Sequence, residues 1–102
     1  KVLTVVGDGE QRRDFTHVYD ICDGLIAISK GDWRGEVFNL GTGTNHSINE
    51  LASMFGGEKK HLPARPGEAR ETLADISFTT KETGWTPKYS LEDYVREFME
   101  SQ

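Results

Sequence analysis

The sequence predicts a small mixed α/β domain with short strands and three to four helices, α+β in character if the chain stands alone. One observation behind this class is a β-branched run at residues 2–6 that stops at Gly7. Another is the helical spacing of apolar residues at positions 18, 21, 22, 25 and 26. The third is a pair of S-x-x-[E/D] capping patterns that start at Ser47 and Ser90. A length of 102 residues is typical of one domain.

The first elements are a strand and a helix. The strand covers residues 2–6, where Val and Thr dominate. The helix runs from Val18 to about Lys30, and its recurring apolar residues predict one buried face. Asp14 or Thr16 is predicted to cap its start, because short oxygen-bearing side chains satisfy the first free amides of a helix.

A second strand and a second helix follow. Residues 36–40 predict the strand, which ends at the Gly-Thr-Gly turn 41–43. Ser47 and Glu50 have the spacing of a capping box, which predicts a helix that begins there and ends at Phe55 before two glycines.

The last part of the chain combines short elements with one clear helix. Residues 60–62 and 71–75 predict short strands, and residues 79–83 predict a short helix. Prolines on both sides of Arg65 exclude regular structure between them. After Ser90 the apolar residues return at helical spacing, which predicts a final amphipathic helix.

Charge and composition exclude several classes of function. Twelve Lys and Arg against 17 Asp and Glu give a net charge of −5, which argues against nucleic acid as a partner. No apolar run approaches the roughly 20 residues that cross a bilayer, so we expect no membrane partner. The single cysteine, Cys22, is typical of a reducing cytoplasm and is expected to pack as a small hydrophobe. The three histidines lack the spacing of metal ligands, so no metal site is expected.

The chain holds no self-sufficient catalytic motif. It has no G-x-G-x-x-G, no Tyr four residues before a Lys, no G-x-S-x-G and no P-loop. It opens on Lys1 and a β-like run without an initiator Met or a signal peptide. We therefore expect the interior of a longer sequence, without catalytic residues of its own.

Two loops combine arginine with residues that shape the backbone. In residues 7–15 two arginines follow a Gly-x-Gly turn, where a guanidinium can present its planar fork to a phosphate. In residues 63–68 prolines stiffen the loop around Arg65, and Glu68 follows as a potential acceptor for ribose hydroxyls. Surface salt bridges in an acidic chain explain the same arginines, so both interpretations stay open at this level.

The order and spacing of these segments resemble one protein family. Residues 7–20 are similar to the G-x-G-x-Q-x-R-D-[FY]-x-[HY]-V-x-D segment of nucleotide-sugar epimerases and dehydratases, in the extended short-chain dehydrogenase/reductase group. Asn-Leu-Gly-Thr-Gly at 39–43, Arg-Pro-Gly-Glu at 65–68 and Gly-Trp-x-Pro at 84–87 continue the family's order. The resemblance implies that residues 1–102 are the C-terminal substrate-binding domain, without the N-terminal Rossmann lobe that binds NAD.

The resemblance implies roles for three residues. Arg13 and Arg65 match the two arginines that clamp the substrate pyrophosphate in this family. Glu68 matches the acidic position that holds the nucleotide ribose in UDP-sugar 4-epimerases. Arg12 is the alternative to Arg13 for facing the ligand, with Arg13 favoured. The Ala-Asp pair at 74–75 after Arg-Pro-Gly-Glu is more similar to UDP-sugar 4-epimerases than to dTDP-glucose dehydratases.

Other prominent residues are assigned structural roles. His17 is expected to cap the first helix or to pack at its start. Trp85, with Pro87 beside it, is expected to pack against the last helix and not to stack on a base. Glu92 and Asp93 lie in the first turn of that helix, where negative charge suits the helix dipole.

The function that the resemblance implies is the nucleotide-sugar binding part of an NAD-dependent epimerase of the UDP-glucose 4-epimerase type, acting on a UDP-hexose. Because the NAD site belongs to the missing lobe, we expect no cofactor on this chain and no turnover by it alone. The alternative is a free-standing nucleotide-sugar binding or structural module, and the reading frame upstream of Lys1 distinguishes the two. We also expect self-association, because residues 36–40 and the first helix would lack their partners.

Overall fold

The structure is a computed structural model that describes residues 2–101. Within these residues four helices and four short strands form a mixed α/β arrangement, the class that the sequence predicts. In chain order the elements are β1 (Leu3–Val6), β2 (Arg12–Arg13), α1 (Val18–Ser29), β3 (His46–Ser47), α2 (Ile48–Phe55), β4 (Lys59–Leu62), α3 (Ser77–Thr83) and α4 (Leu91–Glu100).

The strands form two separate pairs. β1 and β4 are parallel, with Val6 opposite Leu62, and β2 and β3 are antiparallel, with Arg12 opposite Ser47. The strands predicted at residues 2–6 and 60–62 are therefore confirmed within a residue or two. Because β1 and β4 run in the same direction, the loops that follow them leave from the same end of the pair.

Two of the predicted helix starts are confirmed in detail. At the start of α2 the Ser47 hydroxyl accepts a hydrogen bond from the Glu50 amide at 3.0 Å, and the Glu50 carboxylate accepts one from the Ser47 amide at 2.6 Å. At the start of α4 the Ser90 hydroxyl accepts from the Asp93 amide at 3.1 Å. In both cases a local side chain satisfies an amide that the helix itself leaves free.

α1 begins and ends where its periodicity predicts, and of the residues expected at its start His17 is the one that caps it. The Nδ1 atom of His17 accepts a hydrogen bond from the Tyr19 amide at 2.9 Å, so His17 is the N-cap. The prediction of Asp14 or Thr16 as the cap is wrong. Thr16 lies close to the Asp14 carboxylate, which itself accepts hydrogen bonds from the segment around Thr42.

Of the five residues in the apolar face of α1, which is predicted to be buried, four are exposed and the fifth, Ile21, is half-buried. We call the residues Val18, Cys22, Leu25 and Ile26 the apolar stripe; the exposed fractions of Val18, Leu25 and Ile26 lie between 55% and 62%. The helix packs through another face, which carries Asp20 and Gly24. A Cβ atom at Gly24 would lie 2.6 Å from a methyl carbon of Leu40, so the helix approaches that segment closely. The expectation of a buried Cys22 is thus wrong, because no described residue covers this side.

The strand predicted at residues 36–40 is absent from the described residues. Val37 is 80% exposed, and no other strand runs beside this segment within residues 2–101. Asn39 is instead held by α3, where the Thr79 hydroxyl donates to its carbonyl at 2.7 Å. A β-type sequence without a neighbouring strand has no ladder to join, which explains the difference.

Two shorter predictions are met only in part. The strand predicted at 71–75 reduces to a single bridge between Arg12 and Glu71. The helix predicted at 79–83 is present as α3, which begins two residues earlier.

Asp20 and Trp85 connect α1 to the approach of α4. The buried Asp20 carboxylate accepts hydrogen bonds from the amides of Lys88 at 2.9 Å and Tyr89 at 3.0 Å. The indole of Trp85, which is also buried, donates to the Asp20 carbonyl at 3.1 Å. Trp85 therefore packs as a structural residue, and its partner in this contact is α1.

The packed interior is small and the molecule is flat. Within residues 2–101 the buried apolar side chains are those of Val5, Ala52, Trp85 and Val95. The principal extents are 49 × 35 × 15 Å, and the radius of gyration is 16.2 Å, against about 13 Å for a compact domain of this size. None of the described helices is long and apolar enough to span a bilayer.

Candidate functional site

The parallel pairing of β1 with β4 brings the two arginine loops together. β1 ends at Val6 and β4 at Leu62, and the Gly7 amide joins them through a 2.7 Å hydrogen bond to the Leu62 carbonyl. A cavity of about 370 Å³ lies between the loops that follow. We call it the arginine cavity; its lining residues are Val6, Gly7, Asp8, Gln11, Ala64, Arg65, Glu68, Ala69 and Arg70.

The structure places the three residues predicted to bind substrate at or beside this cavity. Arg65 and Glu68 line it. Arg13 reaches it through Glu68, with 3.4 Å between a guanidinium nitrogen and the carboxylate, and both side chains are partly buried. Within residues 2–101 Arg65 forms no ion pair, so its guanidinium is available to a ligand.

The neighbouring Arg12 is committed elsewhere. Its guanidinium donates to the side chain of Asn45 at 2.9 Å and to the Asn45 carbonyl at 3.0 Å, and it pairs with Glu50 at 3.2 Å. Because consecutive residues of a strand point to opposite faces, only one of the two arginines can turn towards Glu68. The geometry gives that place to Arg13.

Gln11 is a site residue that the sequence alone did not single out. It is only 7% exposed, and its side-chain amide donates to Glu68 Oε1 at 2.8 Å and to the Val6 carbonyl at 3.0 Å. It therefore joins the end of β1 to the loop after β4. In the sequence Gln11 stands out only as the last residue of the Gly-x-Gly-x-Gln pattern, and that pattern alone assigns it no function.

A bidentate ion pair also lies on the cavity wall. Both terminal nitrogens of Arg70 contact the Asp8 carboxylate, each at 3.0 Å. The hydrogen bond from Arg70, followed by one from the Glu10 amide, lowers the pKa of Asp8 below its ordinary value. The pair is exposed, so its main effect is to hold the two loops at a fixed spacing and not to add much stability.

Asp14 fixes the backbone that carries Arg13. Its carboxylate accepts hydrogen bonds from the amides of Thr42, Gly43 and Ala74 at 3.0 to 3.2 Å, and from the Thr42 hydroxyl at 2.6 Å. Partial burial acts to raise the pKa of Asp14, but these hydrogen bonds outweigh it and the pKa is lowered. One carboxylate thereby joins three distant stretches of chain beside the cavity.

Neither glycine-rich turn fits a dinucleotide cofactor. The turn at residues 7–9 leads into β2, and the turn at residues 41–43 leads into β3. A dinucleotide pyrophosphate is bound where such a turn opens a helix, because the first helical amides then point at the phosphates. The described residues likewise hold no cluster of three metal-ligating side chains.

A larger cavity of about 620 Å³ lies between the starts of α1 and α4. Its aromatic rings pack on one another: His17 stacks on Tyr89 with ring centres 4.4 Å apart, and Tyr94 meets His17 edge-on at 5.6 Å. No arginine or lysine lines it, and its carboxylate is that of Glu97. The larger cavity thus lacks the cationic side chains that line the arginine cavity.

In architecture the chain is similar to sugar-nucleotide epimerases of the extended short-chain dehydrogenase/reductase group. The UDP-glucuronic acid 4-epimerase of Bacillus cereus, solved with UDP-glucuronic acid and NAD, superposes with a TM-score of 0.85 at 36% identity over 94% of this chain and 33% of its own. The UDP-glucose 4-epimerase of Thermotoga maritima, solved with UDP-glucose, gives a TM-score of 0.82 at 30% identity over 99% of this chain and 36% of its own.

Sequence comparisons agree with the structural ones. Residues 1–41 match the NAD dependent epimerase/dehydratase family. The bifunctional UDP-glucose 4-epimerase and UDP-xylose 4-epimerase 1 of Pisum sativum is 38% identical over 101 residues, which cover 88% of this chain and 29% of that protein. The chain is thus similar to members of the NAD-dependent epimerase/dehydratase family, and it spans about a third of the length of the relatives it matches.

Proposed function

We propose that this chain is the UDP-sugar-binding domain of an NAD-dependent sugar 4-epimerase. Residues 1–102 would form its C-terminal substrate-binding domain, and the NAD-binding lobe would lie in the rest of the parent protein. The observation that carries the proposal is that two arginine loops, remote in sequence, meet across one cavity at the end of a parallel strand pair. The relatives named above act on UDP-sugars, which supports a ligand of this class.

In this proposal Arg13 and Arg65 hold the diphosphate, one guanidinium from each loop. The Arg13–Glu68 contact at 3.4 Å is longer than a good charge-assisted hydrogen bond, so Arg13 can leave it for a phosphate. Once Arg13 turns to the phosphate, Glu68 is available to accept hydrogen bonds from the ribose. The hexose then stays outside the clamp and is free to turn.

The chain supplies binding and orientation, not the redox step. In the parent, NAD would accept a hydride from the sugar and return it, and the residues that perform this lie outside the present chain. The 102-residue chain alone should therefore not interconvert UDP-glucose and UDP-galactose when NAD is added. Detectable interconversion by the purified chain contradicts this part of the proposal.

Calorimetric titration with UDP tests the clamp. The double variant Arg13→Ala with Arg65→Ala should lose about 100-fold or more in affinity, because it removes two charge-assisted contacts. Arg34→Ala is the matched control, since Arg34 is exposed and does not line the arginine cavity. Equal UDP affinity in the double variant and the control contradicts the clamp.

We further propose that the isolated chain self-associates through the apolar stripe and the unpaired segment 36–40. Both lie exposed, and an apolar patch next to unpaired backbone favours association with another copy. The rest of the parent protein would cover the same surface.

We also propose a cytoplasmic location, which is supported by a single cysteine that does not require an oxidising compartment.

A further inference from the structure

The side-chain amide of Gln11 donates two hydrogen bonds, so both of its N–H donors are occupied. It is almost fully buried, and its one amide nitrogen bonds both Glu68 Oε1, at 2.8 Å, and the Val6 carbonyl, at 3.0 Å. The backbone of Gln11 is fixed as well, because its carbonyl accepts from the Ile48 amide at 3.1 Å. A side chain held at so many points cannot change its position without a cost to the fold.

The two oxygens of Glu68 have different surroundings. Oε1 is shared by Gln11 and by Arg13, at 2.8 and 3.4 Å. Oε2 accepts no hydrogen bond from any residue of the described range 2–101. One oxygen of the carboxylate is thus held by the protein, and the other is available to a donor from outside.

We infer that Gln11 is a positioning residue, which holds Glu68 so that the free carboxylate oxygen accepts the ribose hydroxyls and so favours a ribonucleotide over its 2′-deoxy analogue. This rests on the proposed function, in which Glu68 faces the ribose. Gln11 itself makes no contact with the ligand and acts only through Glu68.

The chemistry of an amide suits this task. When Arg13 transfers to the diphosphate, Glu68 loses its charged partner and keeps the neutral hydrogen bond from Gln11. A cation in place of Gln11 would neutralise the carboxylate, and a carboxylate would repel it. An amide keeps Glu68 in position and leaves its charge for the ligand hydroxyls, to which a charged acceptor bonds more strongly.

The test compares UDP with 2′-deoxy-UDP by calorimetry on the 102-residue chain, unmodified and as Gln11→Met. Methionine keeps the length of the side chain and removes the donor. The unmodified chain should prefer UDP by about tenfold, the value of one good hydrogen bond. In Gln11→Met the affinity for UDP should fall about tenfold and that for 2′-deoxy-UDP should stay within about twofold, so the preference disappears.

The outcomes separate the inference from the function on which it rests. If the unmodified chain does not bind UDP, the proposed function fails. If it binds UDP and 2′-deoxy-UDP equally, or if Gln11→Met weakens both ligands by the same factor, Gln11 is merely structural and the inference is overturned. A merely structural role cannot change the ratio of the two affinities.

A second measurement applies if Gln11→Met does not fold. The side-chain amide resonances of Gln11 in the unmodified chain report its hydrogen bond to Glu68 directly. UDP should shift them at least twice as far as 2′-deoxy-UDP does at saturation. Equal shifts with the two ligands overturn the inference.

Discussion

The arginine cavity and the apolar stripe are built in opposite ways. The cavity is closed by contacts within the chain: Gln11 to Glu68, Arg70 to Asp8, and the strand pair beneath them. The stripe carries the apolar residues that usually drive packing, yet it faces outward over the length of α1. The helix below it is held on its other side by hydrogen bonds to Asp20.

The two regions differ in whether the chain itself supplies the contacts that they need. A polar group needs one or two specific partners, and around the arginine cavity the chain itself provides them. Apolar burial needs an extended partner surface, and the described residues do not provide one for the stripe. The contacts around the arginine cavity are therefore made within the chain, whereas the described residues leave the stripe uncovered.

The largest effect is expected where the stripe-bearing helix is anchored. Asp20→Ala leaves the part-buried amides of Lys88 and Tyr89 without partners and should lower the free energy of unfolding by about 3 kcal/mol. Urea denaturation measures the loss. Asp20→Asn, which keeps one acceptor, is the control and should lose less; an equal or greater loss would mean that the hydrogen bonds do not hold α1.

Two glycines provide a test of how tightly the cavity side is packed. Gly9 and Gly67 both have positive φ, 75° and 76°, so Ala strains either one by about 1 kcal/mol. At Gly9 a Cβ would also clash with the Asn49 side chain, which bonds the Asp8 carbonyl at 2.8 Å. Gly67 has open space around it.

Gly9→Ala should therefore destabilise the chain by about 2 kcal/mol, roughly twice the effect of Gly67→Ala. Thermal unfolding of the two variants measures the difference. Equal melting temperatures would show that the turn at Gly9 adapts and that the cavity wall is looser than its contacts indicate.

The apolar stripe should respond in association and hardly at all in stability. The double change Leu25→Lys with Ile26→Glu adds charge to two exposed positions, so the free energy of unfolding should stay within about 0.5 kcal/mol. Sedimentation velocity should show the variant as a monomer under conditions where the unmodified chain associates. Leu73→Lys, at another exposed apolar residue, is the matched control and should associate as before.

The smallest effect is a pH dependence on the cavity side. The pKa of Asp14 is lowered from 3.8 in the folded chain, so its carboxylate stabilises the fold at pH values above that. This contribution is lost as the pH falls below about 4, through the folded-state pKa. Stability measured from pH 6 to pH 2 should fall less steeply in Asp14→Asn, and parallel curves for the two chains contradict the assignment.

The features that the sequence predicts correctly are those that depend on residues close together in the chain. The capping box at Ser47, the bounds of α1 and the Ser90 cap all follow from residues within one or two turns. The family resemblance implies a substrate contact for Arg13 and for Glu68 separately, but their pairing is not predicted, since the two positions are 55 apart and no local rule connects them.

The features that the sequence does not predict depend on contacts with segments that are distant in the chain. Residues 36–40 have a β-type composition, but a strand needs a neighbour that the described chain does not place there. Asp20 is a polar residue in a helix by sequence, and only the approach of Lys88 and Tyr89 makes it an anchor. Asp14 does not cap α1, and its carboxylate instead accepts hydrogen bonds from the distant segment around Thr42.

The parallel pairing of β1 with β4 also determines when the arginine cavity can form. Val6 and Leu62 pair across a separation of 56 positions, so their pairing closes a long loop. Closing so long a loop is entropically unfavourable, and contacts of this kind form late on a folding pathway. Interactions that are absent from the transition state stabilise the native chain by slowing its unfolding. A ligand in the arginine cavity should therefore lengthen the lifetime of the folded chain and leave its rate of folding unchanged.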